Sequence, residues 1–438
     1  MNYTKTYTIQ TLGCKVNQYE SESIACKLQD NGLEAKKSNA SFAIINTCTV
    51  TQKAGMQSRQ LIRQTIRNHP NAIIIVTGCH AQTRPDDIQR IDGVHYIYGH
   101  AYKLMIPERI CKFIQSDEKP PLSTETIISN ILKHTTYDHL MIHHLQKRSR
   151  PAIKIQDGCS AFCSYCIVPY SRGPSRSLPK DAVVDQVKCL QANGYQEIIF
   201  SGIHLGQYGQ DFDPPIHLTD LIQTITQISH CPRIRLSSIE PLEVTENLIR
   251  LINSKDCMCH HLHISLQSGD NETLKRMNRH YTRSFFRDLI FTIHKRIPDI
   301  AIGIDVLVGM PGETNLAFEK TLSLLEEIPA AYFHVFPFSS RKGTSAAQLK
   351  NQVSIQTIKA RSKKIRQLGD QKRMTFFTNN IGHKQSVLIE SENDNYLKGL
   401  TGNYIQVRIP KEQAIKGQMT QVLLKKIFKG QEMEGCIA

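Results

Sequence analysis

Three closely spaced cysteines are the strongest chemical signal in this 438-residue sequence. The segment DGCSAFCSYC holds Cys159, Cys163 and Cys166 in a C-x3-C-x2-C pattern. Three thiolates this close can surround one metal centre only if the segment is a loop, which Gly158 and Pro169 favour. Zinc sites usually have four protein ligands, often in C-x2-C pairs, so the uneven spacing fits three corners of a [4Fe–4S] cluster better. The fourth iron would then be open to a small molecule, and structural zinc with a distant histidine is the alternative.

Three further cysteines share one position relative to predicted strands. Each follows an apolar run of strand character: Cys14 after Tyr7–Leu12, Cys48 after Phe42–Ile45 and Cys79 after Ala72–Val76. Their separations of 34 and 31 residues are close to the roughly 30 residues of one βαβ unit. Because the carboxyl ends of parallel strands meet at one edge of a sheet, we expect these thiols to gather there as a second metal site. His80 is a possible fourth ligand, which would favour zinc.

The elements that position these cysteines follow from hydrophobic periodicity. Residues 1–112 alternate between strand-like and helix-like runs, which predicts a doubly wound parallel sheet in an α/β fold. Residues 113–150 read as a connection with some helix. Residues 151–347 contain six further βα units, which predict an open (β/α)6 barrel, with a second doubly wound sheet as the alternative. A basic helical segment (348–374) then leads to a small antiparallel β domain of barrel type (375–438).

Composition and charge narrow the class of protein. The chain carries 54 Lys and Arg against 39 Asp and Glu, a net charge of +15, which suits a polyanionic partner such as nucleic acid. Neither a signal peptide nor an apolar stretch of membrane-spanning length is present, so we predict a cytoplasmic protein without a membrane partner. Disulfides are then not expected among the thirteen cysteines. We predict only packing roles for the seven outside the two sets, Cys26, Cys111, Cys189, Cys231, Cys257, Cys259 and Cys436.

The central cysteine segment, with Tyr165 just before its third cysteine, resembles the signature of radical S-adenosylmethionine (SAM) enzymes. In that family the open iron of the cluster holds SAM, whose reductive cleavage yields a 5′-deoxyadenosyl radical. The order of the two cysteine sets is similar to that in methylthiotransferases, a subfamily of these enzymes. The segments TLGCKVNQYE, INTCTVT, VTGCHAQ and KIQDGCSAFCSYCIVPYSRG carry the resemblance, which extends over nearly the whole chain.

This resemblance implies two [4Fe–4S] clusters, SAM as a cofactor, and an electron donor such as a flavodoxin or ferredoxin. It also implies an N-terminal methylthiotransferase sheet domain, a radical-SAM barrel and a C-terminal RNA-binding domain of the TRAM type. The second, auxiliary cluster would supply or carry sulfur, while one SAM gives the methyl group and another gives the radical. The implied cluster ligands are Cys159, Cys163 and Cys166 for the SAM cluster and Cys14, Cys48 and Cys79 for the auxiliary cluster.

Polar or glycine-rich loops follow the other predicted barrel strands and would lie beside the SAM cluster. A glycine such as Gly202 permits close backbone approach to a ligand, and Glu240 and Gln267 can hydrogen-bond ribose or the methionyl end of SAM. With Ser238 and Tyr165, these residues are the predicted SAM contacts. Ordinary turn chemistry explains any one of them equally well, and no single residue is assigned a catalytic role.

The methylthiotransferase family divides by substrate. Two branches act on C2 of the adenosine next to the tRNA anticodon, which already carries an N6-threonylcarbamoyl or an N6-isopentenyl group, and a third modifies an aspartate of a ribosomal protein. RIRLSSIEP and HVFPFSSRKGT resemble the threonylcarbamoyladenosine branch. A basic stripe suited to RNA phosphates is formed by the helical segment Lys359–Arg366 with Arg408, Lys411, Lys425, Lys426 and Lys429.

Two other classes remain as alternatives. A cobalamin-dependent radical-SAM methylase also places a sheet domain before the barrel, but it does not need three cysteines at strand ends. A zinc-bearing RNA-binding protein would bind zinc and would not cleave SAM.

Overall fold

The computed structural model describes residues 3–116, 119–139, 142, 149–411 and 414–438. These residues form two compact units, each built from separate stretches of the chain. Unit 1 comprises Met1–Leu145, Gln156–Leu178 and Ser339–Thr344. Unit 2 comprises Gln146–Ile155, Pro179–Phe338 and Ser345–Ala438. No helix among the described residues combines the length and the apolar character that crossing a membrane requires.

A parallel sheet of strand order β2-β1-β3-β4-β5-β6 is the framework of unit 1. Its strands are β1 (Thr6–Thr11), β2 (Glu34–Ala35), β3 (Phe42–Thr47), β4 (Ile73–Gly78), β5 (Tyr96–Tyr98) and β6 (Glu125–Ile127). The helices between them are α1 (Lys15–Asp30), α2 (Gln52–Asn68), α3 (Cys79–Thr83), α4 (Pro85–Gln89) and α5 (Met105–Gln115). β3 and β4 are buried throughout because separate apolar clusters pack on the two faces of the sheet. The predicted doubly wound parallel sheet is confirmed.

The predicted connection contributes to this sheet, since β6 pairs with β5. Its described residues also hold one 3-10 turn, Ile131–Lys133, and no further α-helix after α5. Parts of the connection, including Lys147 and Arg148, lie outside the described residues.

The segment that follows crosses from one unit to the other. It holds β7 (Ala152–Lys154), β8 (Gln156–Asp157), α6 (Val168–Arg172) and β9 (Arg176–Ser177). β7 belongs to unit 2, whereas β8 and β9 pair antiparallel within unit 1 and bracket the three-cysteine loop.

The larger part of unit 2 is a half-barrel of parallel strands. Its strands after β7 are β10 (Glu197–Ser201), β11 (Arg233–Leu236), β12 (Ser238–Ile239), β13 (His261–Gln267), β14 (Ala301–Val308) and β15 (Tyr332–Pro337). The helices are α7 (Lys180–Ala192), α8 (Leu218–Ile225), α9 (Glu246–Ser254), α10 (Asn271–Arg276), α11 (Arg283–Arg296) and α12 (Asn315–Glu327).

These strands form two sheets, β11-β10-β7 and β12-β13-β14-β15, and a parallel bridge between Ile234 and Met258 lies at the seam between them. The strands follow one another in chain order, whereas a doubly wound sheet reverses its order at a switch point. The open-barrel prediction is therefore confirmed over its doubly wound alternative.

The C-terminal part of unit 2 is a small closed barrel preceded by the long helix α13 (Ile355–Asn379). Its strands are β16 (Lys384–Glu392), β17 (Tyr396–Thr401), β18 (Gln406–Pro410), β19 (Met419–Phe428) and β20 (Glu432–Ile437). The predicted β domain of barrel type is confirmed, but the pattern missed β17 and β20. The description as antiparallel needs one correction, because β18 and β20 pair in parallel to close the barrel.

A buried ionic group fastens this C-terminal barrel to the half-barrel within unit 2. Glu197 is fully buried and accepts hydrogen bonds from Arg233 at 2.6 Å and from Arg235 at 2.7 Å. The two guanidinium groups also donate to four backbone carbonyl oxygens of the C-terminal barrel, those of Ser386, Leu400, Thr401 and Gly402, at 2.8–3.0 Å. Burial opposes ionisation of Glu197, yet Arg235 and Arg233 more than offset it and lower its pKa to about 2.

We expect Glu197→Gln to destabilise the C-terminal barrel by about 3 kcal/mol, because it leaves two buried arginines without a counter-charge. Urea denaturation combined with hydrogen exchange of β17 measures this. Glu392→Gln is the matched control, since Glu392 forms a half-exposed pair with Lys411 and surface pairs contribute about 1 kcal/mol or less. The difference should be complete above the ordinary glutamate pKa of 4.5 and shrink as the pH falls toward 2, where Glu197 itself becomes protonated. An equal effect of both substitutions would contradict this role of Glu197.

Candidate functional site

The structure places the three strand-end cysteines at one edge of the unit 1 sheet. Cys14 caps the start of α1 after β1 and is exposed, Cys48 follows β3, and Cys79 is the first residue of α3 after β4. Cys14 and Cys48 are neighbours, because a Cβ atom added to Gly13 would lie 3.0 Å from the Cys48 sulfur. Gly13 has a φ of +105°, so this close approach depends on glycine. The predicted gathering of the strand-end cysteines is therefore found in the fold.

The charges around these thiols show the same proximity. Burial raises the pKa of Cys79 to about 11, and nearby Arg172 opposes that rise while Cys48 and Cys14 add to it. Burial likewise raises the pKa of Cys48, and Cys14 and Arg172 act on it in the same opposing senses. If ionised, these thiols would repel one another, so the set suits a cationic centre that binds them as thiolates, since metal ligation requires deprotonated thiols.

Arg172 links the N-terminal sheet to the three-cysteine loop inside unit 1. Its guanidinium is buried and donates to Glu20 at 2.9 Å, to Asn17 at 2.6 Å and to Asp157 at 2.8 Å. Glu20 and Asn17 lie on α1 directly after Cys14, and Asp157 lies two residues before Cys159. Burial disfavours the charge of Arg172, yet Asp157 and Glu20 raise its pKa well above the usual value. Arg172 thus binds residues that lie close in sequence to both cysteine sets.

Lys103 and Arg176 complete this buried charge group. Lys103 donates to Glu20 at 2.5 Å, and Arg176 lies 3.5 Å from the Asp157 carboxylate. Arg176 also donates to the backbone oxygen of Arg172 at 2.8 Å. Two carboxylates therefore face three cations, which leaves a surplus positive charge close to thiols that must ionise to bind metal.

The three-cysteine segment is a loop, as its spacing predicts. Gly158 opens it with a φ of +72°, and a Cβ atom there would lie 1.9 Å from the Pro174 oxygen. The Cys159 amide donates to the Gly173 oxygen at 3.0 Å, and the Cys166 amide donates to the Cys163 oxygen at 2.9 Å. All three cysteines are partly exposed, so a small molecule can reach a centre that they hold.

The number and arrangement of the thiols indicate which kind of metal centre the two cysteine sets fit. Four ligands at 2.3 Å from a tetrahedral zinc ion are about 3.8 Å apart. Among the described residues, the only three histidine, cysteine or acidic ligand atoms within 4.8 Å of one another belong to His263, Asp305 and His334. Neither cysteine set is in that group, and each offers three thiols rather than the four protein ligands of a structural zinc site, which fits three corners of a [4Fe–4S] cluster better.

The alternative zinc ligand His80 is turned toward other partners. Its Nδ1 lies 3.3 Å from the Thr49 hydroxyl and its Nε2 lies 3.9 Å from an Asp87 oxygen. Burial and the nearby Arg59 lower the pKa of His80 to about 4, so the ring is neutral at physiological pH.

The four predicted SAM contacts of the barrel lie at or just beyond the carboxyl ends of strands in unit 2. Gly202 follows β10, Ser238 lies in β12, Glu240 follows it, and Gln267 ends β13. Gln267 has a φ of +64° at a bulge between β13 and β14, a conformation that is uncommon for non-glycine residues. Glu240 pairs with Arg279, while Tyr165 lies on the cysteine loop of unit 1.

Sequence reasoning missed a polar cluster on the half-barrel strands. His263 on β13 lies 2.6 Å from the Asp305 carboxylate on β14, and His334 on β15 lies 3.6 Å from the same oxygen. Burial opposes ionisation of Asp305, but the two histidines lower its pKa to about 2. The alternation of polar and apolar residues in HLHISLQ was the available signal, since it places His261, His263, Ser265 and Gln267 on one face of β13.

A cationic cavity in unit 1 was also missed. It has a volume of about 410 Å³, and its lining includes Arg59, Arg84, Arg341 and Lys342. Arg341 comes from the segment Ser339–Thr344 and donates to Thr49, directly after Cys48. Arg341 and Thr49 are 292 residues apart in sequence, so no local motif predicts this contact.

The predicted basic stripe is smaller than its sequence suggests. Arg361 is buried and donates to Glu313 at 2.6 Å, so it is not available to RNA phosphate. Arg408 packs over Tyr396 and Phe428, and Lys426 pairs with Glu434 at 3.0 Å. Lysines that stay exposed include Lys359, Lys363, Lys425 and Lys429.

Comparison with known families and structures agrees with this geometry. Residues 153–325 match the Radical SAM superfamily, and residues 6–99 match a family described as "Uncharacterized protein family UPF0004". In fold, the chain is similar to the cobalamin- and [4Fe–4S]-bound radical SAM methyltransferase TsrM from Kitasatospora setae, with a TM-score of 0.60 over 78% of this chain and 77% of that chain. The identity of 16% makes this a likeness of fold alone.

Similarity to characterised sequences is stronger. The chain is 36% identical to threonylcarbamoyladenosine tRNA methylthiotransferase MtaB of Bacillus subtilis (strain 168), over 96% of this chain and 94% of that protein. Identity to the protein of the same name from Aquifex aeolicus is 33%, over 95% and 99%. It is 32% to a tRNA-2-methylthio-N(6)-dimethylallyladenosine synthase of Clostridium botulinum, over 81% and 79%. The chain therefore belongs to the radical-SAM methylthiotransferase family.

Proposed function

We propose that this protein methylthiolates C2 of N6-threonylcarbamoyladenosine next to the tRNA anticodon. The main observation behind this proposal is that unit 1 contains both three-cysteine sets. Arg172 donates hydrogen bonds to a residue near each set, Glu20 near Cys14 and Asp157 near Cys159. One three-cysteine set would be enough for radical generation, and the second set would hold the cluster used for sulfur insertion. The relatives named for threonylcarbamoyladenosine align with more of the chain than those named for dimethylallyladenosine. This supports the first substrate over N6-isopentenyladenosine or a ribosomal-protein aspartate.

Cys159, Cys163 and Cys166 are the proposed ligands of the SAM cluster, and Cys14, Cys48 and Cys79 are those of the auxiliary cluster. Bound there, the two [4Fe–4S] groups would supply the electron for SAM cleavage and the sulfur for insertion at C2. The protein orients the first set through Gly158 and the Cys159 amide, and the second through the carboxyl edge of the sheet. Tyr165, Gly202, Ser238, Glu240 and Gln267 are the proposed contacts of SAM.

The remaining partners follow from the chemistry of the substrate. The exposed lysines of α13 and the C-terminal barrel, with the cationic cavity of unit 1, would contact tRNA phosphates. An electron donor such as a flavodoxin or ferredoxin would reduce the SAM cluster, and a tRNA substrate places the reaction in the cytoplasm. The proposed functional domains are 1–112 for the sheet, 113–150 for the connection, 151–347 for the radical-SAM barrel, 348–374 for the basic segment and 375–438 for the RNA-binding barrel.

Deletion of the gene should abolish 2-methylthio-N6-threonylcarbamoyladenosine in total tRNA and leave the isopentenyl derivative unchanged. Mass spectrometry of tRNA nucleosides measures both, and the wild-type gene returned on a plasmid should restore the lost nucleoside. Loss of only the isopentenyl derivative would show that the substrate assignment is wrong.

Cys14→Ala should remove sulfur insertion while SAM cleavage continues, because Cys14 belongs to the auxiliary set and not to the C-x3-C-x2-C loop. We expect the iron content of the reconstituted protein to fall from about eight to about four per chain. Release of 5′-deoxyadenosine reports SAM cleavage, and Cys111→Ala is the control for loss of a cysteine on another element of unit 1. Simultaneous loss of both activities in Cys14→Ala would overturn the two-site assignment.

Gly158→Ala should produce the complementary defect, since its Cβ atom would overlap the Pro174 oxygen and the residue must keep a φ of +72°. We expect loss of SAM cleavage with the auxiliary cluster retained, again about four irons per chain. Gly194→Ala is the matched control, because Gly194 has a φ of +82° but nothing lies within 4 Å of its added Cβ. Normal SAM cleavage by Gly158→Ala would contradict the assigned role of the loop.

A further inference from the structure

Two histidines and one aspartate of the half-barrel bring their ligand atoms together from three neighbouring strands. His263 lies on β13, Asp305 on β14 and His334 on β15. The His263 Nε2 atom lies 2.6 Å from one Asp305 carboxylate oxygen, and the His334 Nδ1 atom lies 3.6 Å from the same oxygen. All three ligand atoms lie within 4.8 Å of one another. Neither the cysteine sets nor the proposed SAM contacts include this cluster.

The spacing and the types of these ligands suit a single metal ion. Ligands about 2.1 Å from a tetrahedral zinc ion are about 3.4 Å apart. The two measured distances, 2.6 and 3.6 Å, lie on either side of that value. Imidazole and carboxylate groups bind divalent transition metals such as zinc and iron, and three protein ligands leave a coordination position open. A metal ion can therefore replace the proton of the His263–Asp305 hydrogen bond after small movements of the side chains.

The hydrogen bonds around His263 hold its ring in the form that metal binding requires. To bind through Nε2, the ring must carry its proton on Nδ1 and donate it to a partner. The Tyr332 hydroxyl lies 3.1 Å from His263 Nδ1 and 2.8 Å from His261 Nε2. It can accept the proton of His263 and donate its own to His261. The tautomer that leaves Nε2 free for a metal thus has a hydrogen-bond partner in place.

A glycine leaves room for this arrangement. Gly303 lies in β14, two residues before Asp305. A Cβ atom at Gly303 would lie 2.3 Å from the Tyr332 ring and 2.5 Å from His263 Nδ1, so a larger residue would displace both side chains. Glycine weakens the interior of a strand, and it often marks a position that another group approaches closely. Here the group that approaches is the ring that orients a metal ligand.

The cluster is accessible from the side of His334. The His334 side chain is 52% exposed, whereas His263 is buried. His334 and Tyr332 line a cavity of about 270 Å³, which gives an ion a route to the site. Arg150 and Arg373 line the same cavity, so it suits an anionic oxygen atom as the further ligand of the ion.

We propose that His263, Asp305 and His334 bind one divalent transition-metal ion, such as Zn²⁺, in addition to the two proposed clusters. The ion joins β13, β14 and β15 and keeps a coordination position for water or for an anionic oxygen atom. This site is independent of the proposed tRNA substrate, because metal binding is measured without tRNA.

The test measures zinc in the cluster-loaded protein under anaerobic conditions. The protein is dialysed first against EDTA, which removes loosely bound metal, and then against buffer that contains zinc chloride. Elemental analysis should find one more zinc per chain in the wild type than in Asp305→Asn. X-ray absorption at the zinc edge should show nitrogen and oxygen neighbours of this additional zinc at about 2.0–2.1 Å, rather than sulfur at about 2.3 Å.

Further variants distinguish this site from zinc bound at other side chains. His334→Gln should also lose the additional zinc, and Tyr332→Phe should weaken its binding by about 10-fold to 100-fold. The matched control is Asp299→Asn, because Asp299 forms a partly exposed pair with His260 at 2.9 Å. Within the described part of the chain that pair belongs to no group of three possible ligands, so this variant should keep the additional zinc. Unchanged iron content shows that each variant retains its clusters.

The proposal is overturned if the wild type and Asp305→Asn hold equal amounts of zinc. It is also overturned if the additional zinc has sulfur neighbours, or if Asp299→Asn loses as much zinc as Asp305→Asn. Zinc binding by Tyr332→Phe with the affinity of the wild type would contradict the orienting role of Tyr332.

Discussion

The arrangement of unit 1 depends on the buried guanidinium of Arg172. Glu20 and Asp157 are both carboxylates with little access to water, and each would cost several kcal/mol to bury alone. Arg172 neutralises them together and also donates to Asn17. Because these partners flank Cys14 and Cys159 in sequence, the energetic need to pair the charges fixes the two cysteine sets to a common support. Arg172 also opposes the rise that burial causes in the pKa of Cys79 and Cys48, which would assist the deprotonation that the proposed iron ligation requires.

A second buried charge group performs a comparable task in unit 2. Glu197 on β10 holds Arg233 and Arg235 on β11, and the two arginines then satisfy carbonyl oxygens of the C-terminal barrel. Hydrogen bonds from charged donors to buried carbonyls are stronger than neutral ones and have a preferred geometry. They therefore fix the orientation of the C-terminal barrel, in addition to the burial of apolar surface. These contacts attach the C-terminal barrel to the half-barrel within unit 2.

Much of the fold was predictable, because its main signals are local. β3 and β4 are apolar runs buried on both faces, and such runs identify parallel strands directly. β17 and β20 were missed because YLKGLT and EMEGCI are short, contain glycine and alternate only weakly. The regular placement of a cysteine after each of three strands predicted that Cys14, Cys48 and Cys79 would lie near one another. The contacts of Arg172 and the hydrogen bond from Arg341 to Thr49 join residues remote in sequence, and no local pattern encodes them.

The two cysteine sets each bring three thiols together, but different structural elements position them. The loop set is local, because its three cysteines lie within eight residues between Gly158 and Gly173, whose φ values are +72° and +78°. The sheet set needs the register of three strands, in which Thr8 of β1 faces Ala43 of β3 and Ala43 faces Ile74 of β4. A slip of one residue would turn every side chain of a strand to the other face and would displace its cysteine. The sheet set therefore depends on the pairing of three strands, β1, β3 and β4, whereas the loop set is bracketed by the single pair of β8 and β9. In the proposed assignment, sulfur insertion would depend on the register of the N-terminal sheet, whereas radical generation would depend on a short segment that Arg172 holds through Asp157.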